Sequence, residues 1–158
     1  MKICIGTDHA GFELKEALLP YLKKLGYDVY DKGAFSFKDN DDYPDYIIPV
    51  AEEVSADPEN VRGIVIGGSG QGEAICANRF PHVRAVVFNG QYRPTDGRLV
   101  PYEIMITRQH NNANVLSLGA RFLSVEEAKQ SVKLWLETPF SNDLRHMRRL
   151  KKIDSIKL

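Results

Sequence analysis

A chain of 158 residues with 43% apolar and 27% charged side chains has the make-up of a folded globular protein of about one domain. Its 21 basic and 21 acidic residues cancel to a formal net charge of +0, which excludes the strong basic field of a general nucleic-acid binder. The two cysteines, Cys4 and Cys76, are too few and too far apart for a disulfide framework and match no metal-ligand spacing, so a reducing, cytoplasmic setting is expected.

Residues 2–7 form a short apolar run closed by a turn cluster, the pattern of a buried strand. The run opens without a charged-then-apolar leader, and no apolar stretch reaches the ~18 residues of a membrane span, so a soluble, unexported protein is expected. Residues 12–25 follow with Leu14, Leu18, Leu22 and Leu25 on one helical face and Gly26 in the stop position. Residues 27–31 read as a second strand, 47–54 as a helix, and 63–66 as a third strand without the polar alternation of a half-exposed sheet. A helix over 73–80 follows a glycine loop, then strands over 84–88 and 114–118. Ser124 with Glu127 forms a capping box opening a helix through Leu136. Strand alternating with helix predicts one five-stranded parallel sheet covered on both faces, with ligands at the carboxyl edge of the strands. Residues 89–101 are dense in turn chemistry (Asn89-Gly90, Pro94, Asp96-Gly97, Pro101), and a loop of that length in a compact domain is usually functional.

Four constellations could carry chemistry. Asp8 and His9 leave the first strand and enter the first helix; a carboxylate beside an imidazole can fix its tautomer for proton transfer or hydroxyl binding, the alternative being that Asp8 merely caps the helix. In Gly67-Gly68-Ser69-Gly70-Gln71-Gly72-Glu73, glycines allow close backbone approach to a ligand, and their amides suit an anion or a developing oxyanion. This is neither a phosphate-binding Gly-Lys-Ser/Thr loop nor the dinucleotide fingerprint. Glu73 is a lone carboxylate after that loop, suited to act as a base if buried, or else simply to interact with the helix dipole. Arg108-Gln109-His110-Asn111-Asn112 offers a proton donor and amide side chains. Arg145, Arg148, Arg149 and Lys152 fall on one face of a C-terminal helix, suited to phosphate or to solvent alone. Arg121 is a further phosphate candidate. The histidines at 9, 82, 110 and 146 have no metal-site spacing, and no metal is expected.

Taken together, 7–15 (Thr-Asp-His-Ala-Gly-Phe-Glu-Leu-Lys), Asp42-Tyr43-Pro44, 67–73 with Ala77-Asn78-Arg79, 108–112, and Arg145-His146 with Arg148-Arg149 closely resemble the type B ribose-5-phosphate isomerases, a family that also holds galactose-6-phosphate and allose-6-phosphate isomerases. The motifs recur in the family's order over nearly the whole chain. The resemblance implies a Rossmann-like three-layer α/β/α fold, one domain over 1–158, and cofactor-free aldose-ketose isomerisation of a sugar phosphate in the pentose phosphate pathway. It implies a homodimer or tetramer with sites at the subunit interface, a C-terminal helix over about 141–157 contributing to the partner's site, and no nucleic-acid or membrane partner. One branch of the family carries a catalytic cysteine at the start of the glycine loop, the other a glutamate at its end. Here Gly67 stands at the cysteine position and Glu73 at the glutamate; Cys76 matches neither.

By that match, Glu73 moves a proton between C2 and C1, His110 protonates the ring oxygen, and Ser69 with the amides of Gly68, Gly70, Gln71 and Gly72 holds the enediolate oxygens. Asp8, His9 and Asn111 bind hydroxyls, and Arg121, Arg145 and Arg149 bind the phosphate. The chain is about ten residues longer than the family pattern between Phe88 and His110, which leaves pentose and hexose phosphates both open as substrates. A non-catalytic phosphosugar binder is a third reading, but it has no need of a base.

Overall fold

The computed structural model describes residues 1–91 and 102–156. Five parallel strands, β1 (Lys2–Thr7), β2 (Asp28–Asp31), β3 (Val61–Gly67), β4 (Ala85–Phe88) and β5 (Val115–Gly119), lie in the order β2-β1-β3-β5-β4. The helices are α1 (Phe12–Lys24), α2 (Pro44–Ala56), α3 (Gln71–Ala77), α4 (Glu103–Gln109), α5 (Val125–Glu137) and α6 (Leu144–Asp154), and a short 3-10 turn at His9–Gly11 precedes α1.

Alternation along the strands builds the layers. Ile3, Ile5, Ile64, Ile66, Leu116 and Leu118 face one side, where α1, α4 and α5 bring Leu14, Leu18, Leu22, Ile104, Val132 and Trp135. Cys4, Val61, Val65 and Val115 face the other, against Ile47, Val50, Ala51 and Val54 of α2 and Ala77 of α3. The expected three-layer α/β/α arrangement is therefore observed, with its five strands in parallel. β1 connects to β2 on one side while β3 lies on the other, so strand order reverses between β1 and β3. Loops leaving those two strands flank the crevice where such sheets bind ligands.

Most expected elements appear with small shifts at their ends. α4 was not expected as a helix: its Ile104, Ile106 and Thr107 are β-branched and of low helical propensity, and it is stabilised instead by burying Ile104 against α5. The C-terminal helix expected over 141–157 runs from Leu144 to Asp154, with Asp143 as its N-cap and three exposed residues, 141–143, ahead of it. Of the long turn-rich segment at 89–101, residues 92–101 lie outside the described residues.

Candidate active site

The end of β1 is tied to the end of β3 by the Thr7 hydroxyl, which donates to the Ile66 carbonyl at 2.9 Å. Asp8 follows as the N-cap of the 3-10 turn, its Oδ1 accepting from the Ala10 amide at 3.0 Å. It is a cap, then, but a buried one beside the crevice, and its charge reaches Glu73. Gly11 is required here because a β-carbon would collide with Thr7 Oγ1 and the Ile66 side chain. His9 packs its ring edgewise on Phe37. Its backbone N–H and its Nδ1 both meet Asp41 Oδ1, at 2.9 and 2.8 Å.

The glycine loop is held from the β5 side. The carbonyls of Gly67 and Gly68 accept from the amides of Ala120 and Arg121, that of Ser69 from Asn89 Nδ2, and that of Gly70 from the Ser117 hydroxyl. A planar trans peptide opposes N–H to C=O, so the amides of Gly68, Ser69, Gly70 and Gln71 are directed away from those partners. Gly70 adopts φ +74°, a left-handed turn natural to glycine, and leads into α3. Gly68 lies under the Arg121 guanidinium and Gly72 against the Tyr43 ring.

Glu73, in the first turn of α3, is 5% exposed. Its carboxylate occupies the space above Gly67 where a β-carbon would stand. Burial pushes its pKa above the ordinary 4.5, opposed by a backbone N–H and assisted by the negative charge of Asp8. A carboxylate held near an amide-lined loop with a raised pKa is suited to take and return a proton at carbon, and the loop amides can hold the oxygens that gain charge as it does so. Arg121 bears on His9 electrostatically and closes this group. Asp8, His9, Ser69, the loop glycines, Gln71, Glu73 and Arg121 thus share the carboxyl edge of the sheet.

The remaining expected residues are elsewhere. Asn114 bonds to Gly63 and Arg84, at the amino ends of β3 and β4, so the 110–113 turn ahead of β5 lies at the amino edge. The buried guanidinium of Arg108 shapes that turn, donating to Asn112 Oδ1, the Ala113 carbonyl and the Thr138 carbonyl. The His110 ring stacks on His146 of α6 with centroids 4.2 Å apart. Arg145 Nε donates to His146 Nε2, and Arg149 also bears on that ring, whose pKa falls through burial and the cationic neighbours. His110, Arg145 and Arg149 therefore gather around His146, with Asn111 exposed beside them. Strands of five to seven residues separate this group from Glu73 by roughly 15–20 Å.

Two residues at the carboxyl edge were not expected there. Tyr43 stood in the quoted Asp42-Tyr43-Pro44 motif without a role, and Asp41 was lost within an acidic run of eight carboxylates and no bases over 39–59. Asp8, His9 and Asp41 also bring one donor atom each within 4.8 Å, the one such three-residue group among the described residues, a clustering that histidine spacing did not suggest. His9 Nδ1, however, already bonds Asp41.

Comparison with known proteins adds independent findings. A family model described as Ribose/Galactose Isomerase matches residues 3–153. The chain is 39% identical over 151 residues to ribose-5-phosphate isomerase B of Mycolicibacterium paratuberculosis, covering 95% of this chain and 87% of that protein. It is 39% identical over 155 residues to ribose-5-phosphate isomerase B of Escherichia coli, covering 98% and 95%. Among solved structures, ribose-5-phosphate isomerase B from Mycoplasma genitalium with bound ribulose-5-phosphate superimposes with a TM-score of 0.87 at 35% identity, over 97% of this chain and 93% of that one. The Clostridium thermocellum enzyme gives a TM-score of 0.85 at 40% identity, over 98% and 95%.

Proposed function

The chain belongs to the ribose/galactose isomerase family, and from that premise we propose that it interconverts ribose 5-phosphate and ribulose 5-phosphate through a cis-enediolate, without a cofactor. The observation that carries the reading is Glu73: a buried carboxylate of raised pKa, seated above Gly67 at the end of the glycine loop. In the proposed reaction, His110 protonates the ring oxygen as its bond to C1 breaks and the 1-hydroxyl gives its proton to solvent, leaving an aldehyde at C1. Glu73 then removes the C2 proton, the electron pair moves into the C1–C2 bond, and the carbonyl oxygen gains the charge. The amides of Gly68, Gly70, Gln71 and Gly72, with Ser69, stabilise that oxygen; the 2-hydroxyl proton passes to it as Glu73 returns its own proton to C1, which leaves the carbonyl at C2. Asp8, His9 and Asn111 bind hydroxyls, while Arg121, Arg145 and Arg149 hold the phosphate.

These roles require two copies of the chain. Within one protomer the base and the ring-opening acid sit at opposite edges of the sheet, so the reading places His110, Asn111, Arg145 and Arg149 of one subunit against Asp8, Glu73 and Arg121 of the next. A homodimer is the smallest assembly that does so. The reading carries with it a cytosolic sugar-phosphate isomerase; among the described residues no helix is long and apolar enough to cross a membrane.

The test is a panel of pentose and hexose phosphates, followed by kcat/KM and by NMR detection of solvent deuterium entering the substrate C–H positions. Ribose 5-phosphate is expected to give the highest kcat/KM, and Glu73→Gln to abolish turnover and exchange while calorimetry still detects phosphosugar binding. A higher constant for a hexose 6-phosphate moves the substrate to the allose or galactose type. Binding without exchange in the unaltered protein rejects catalysis, and full turnover by Glu73→Gln rejects the base.

A further inference from the structure

His9 is bound twice by one oxygen that the motif reading did not include. Asp41 lies 32 residues further along the chain, ahead of α2, and its Oδ1 accepts from both the His9 backbone N–H and the ring Nδ1. The Asp41 side chain is 6% exposed and that of His9 29%, so the carboxylate is the buried partner and the ring faces outward from it. A carboxylate only accepts hydrogen bonds, so Nδ1 must carry the proton in this arrangement. Phe37 packs edgewise on the ring.

We propose that Asp41 is a positioning residue, which locks the His9 ring with Nδ1–H turned inward and Nε2 turned outward toward a sugar hydroxyl, to which Nε2–H donates when the ring is an imidazolium and from which Nε2 accepts when it is neutral. The assignment rests on the proposed isomerase reading for its ligand, but the Asp41–His9 hydrogen bonds are made within the chain. Other groups facing the ring act in both directions. Asp8 Oδ2 lies 3.9 Å from Nδ1, too far to bond but close enough to favour the imidazolium, whereas the Arg121 charge opposes it, and the second oxygen of Asp41, Oδ2, is buried without a hydrogen-bond partner among the described residues. Their balance lifts the His9 pKa above 6.5, led by the Asp41 hydrogen bond and opposed by burial. The imidazolium presents Nε2–H to a ligand; the neutral ring with Nδ1–H presents an acceptor there instead. Asp41 therefore widens the pH range over which His9 donates.

The experiment is nitrogen-15 NMR of the histidine rings across pH, on the unaltered protein and on Asp41→Asn, paired with kcat/KM over the same range. In the unaltered protein, neutral His9 is expected in the Nδ1–H form, with a titration midpoint above that of a free histidine. Asp41→Asn, which keeps an acceptor oxygen but loses the charge, is expected to lower that midpoint. The alkaline limb of kcat/KM should move to lower pH with it, and kcat/KM should fall on the order of tenfold, mainly through KM. An Nε2–H tautomer in the unaltered protein overturns the proposal without any variant. A midpoint unmoved in Asp41→Asn also overturns it, and so does a kcat/KM profile that stays in place while the midpoint falls, because a carboxylate that only braces the loop would leave that profile unchanged. Failure of the isomerase reading shows instead as absence of turnover on every phosphosugar, with the NMR result unaffected.

Discussion

At position 67 the width of one β-carbon decides where the carboxylate of Glu73, the proposed base, can stand. A side chain on Gly67 would overlap the Glu73 carboxylate, so a cysteine at 67 and a glutamate in its observed place exclude each other by volume. This gives a physical reason for the two versions of the loop that the resemblance implies, which sequence presents only as alternatives. Gly67→Ala is expected to swing the carboxylate out of place and to lower kcat by about 100-fold, with phosphosugar affinity retained, since misplacing a reacting group by about 1 Å costs that much; steady-state kinetics with calorimetry checks it. The raised pKa of Glu73 sets a second expectation. A base must be ionised, so kcat/KM should fall as pH falls through that raised value, with the midpoint of the acid limb above 4.5. A limb at or below 4.5 in a pH-rate profile would contradict this. In stability the sign is opposite: a carboxyl whose pKa is raised by folding favours the native state while protonated and costs stability as pH rises through the raised value.

Glu53 acts at the scale of elements. From α2 it accepts from Lys2 of β1 at 2.6 Å and from Lys32, just after β2, at 2.7 Å, joining a helix to the first two strands. The two lysine hydrogen bonds lower its pKa to about 2. A depressed carboxyl stabilises the fold above its unfolded pKa near 4.5, and that contribution is lost as pH falls toward 2. Because the side chains are partly exposed and water screens them, Glu53→Gln should cost no more than about 1 kcal/mol at neutral pH. Denaturant melts should show the gap between variant and parent closing between pH 4.5 and 2. Elements with local signals were legible in sequence: the Ser124 box closes reciprocally, with the Ser124 amide donating to Glu127 Oε2 and the Glu127 amide to Ser124 Oγ. α4 was not legible, because its stability comes from burying Ile104 against α5 and not from its own propensities.

For the whole molecule, the opposite-edge placement of Glu73 and His110 makes a prediction about mixtures. Glu73→Gln and His110→Ala should each be inactive alone. If each site joins the carboxyl edge of one protomer to the amino edge of its partner, random co-refolding makes half the dimers mixed, and each mixed dimer carries one intact site. Activity should then recover to about a quarter of the unaltered level by this symmetry argument. Sites wholly within one protomer would give no recovery, so the assay of co-refolded protein decides between them. The same architecture separates charges that cancel in sum: 39–59 holds eight acidic residues and no basic ones, while 145–158 holds six basic and one acidic.

The sequence by itself determined the layered α/β architecture, because apolar period and turn chemistry are local properties of the chain. It also determined the residue types of the motifs, since glycine loops and lone carboxylates are visible in linear order. Tertiary structure decided which of those motifs meet. Glu73 and Asp8 come together because β1 and β3 are neighbours, and Asp41 reaches His9 across 32 residues of chain. His110 joins His146 at the other edge because it precedes β5 and does not follow it, a separation that strand direction imposes and residue spacing does not record.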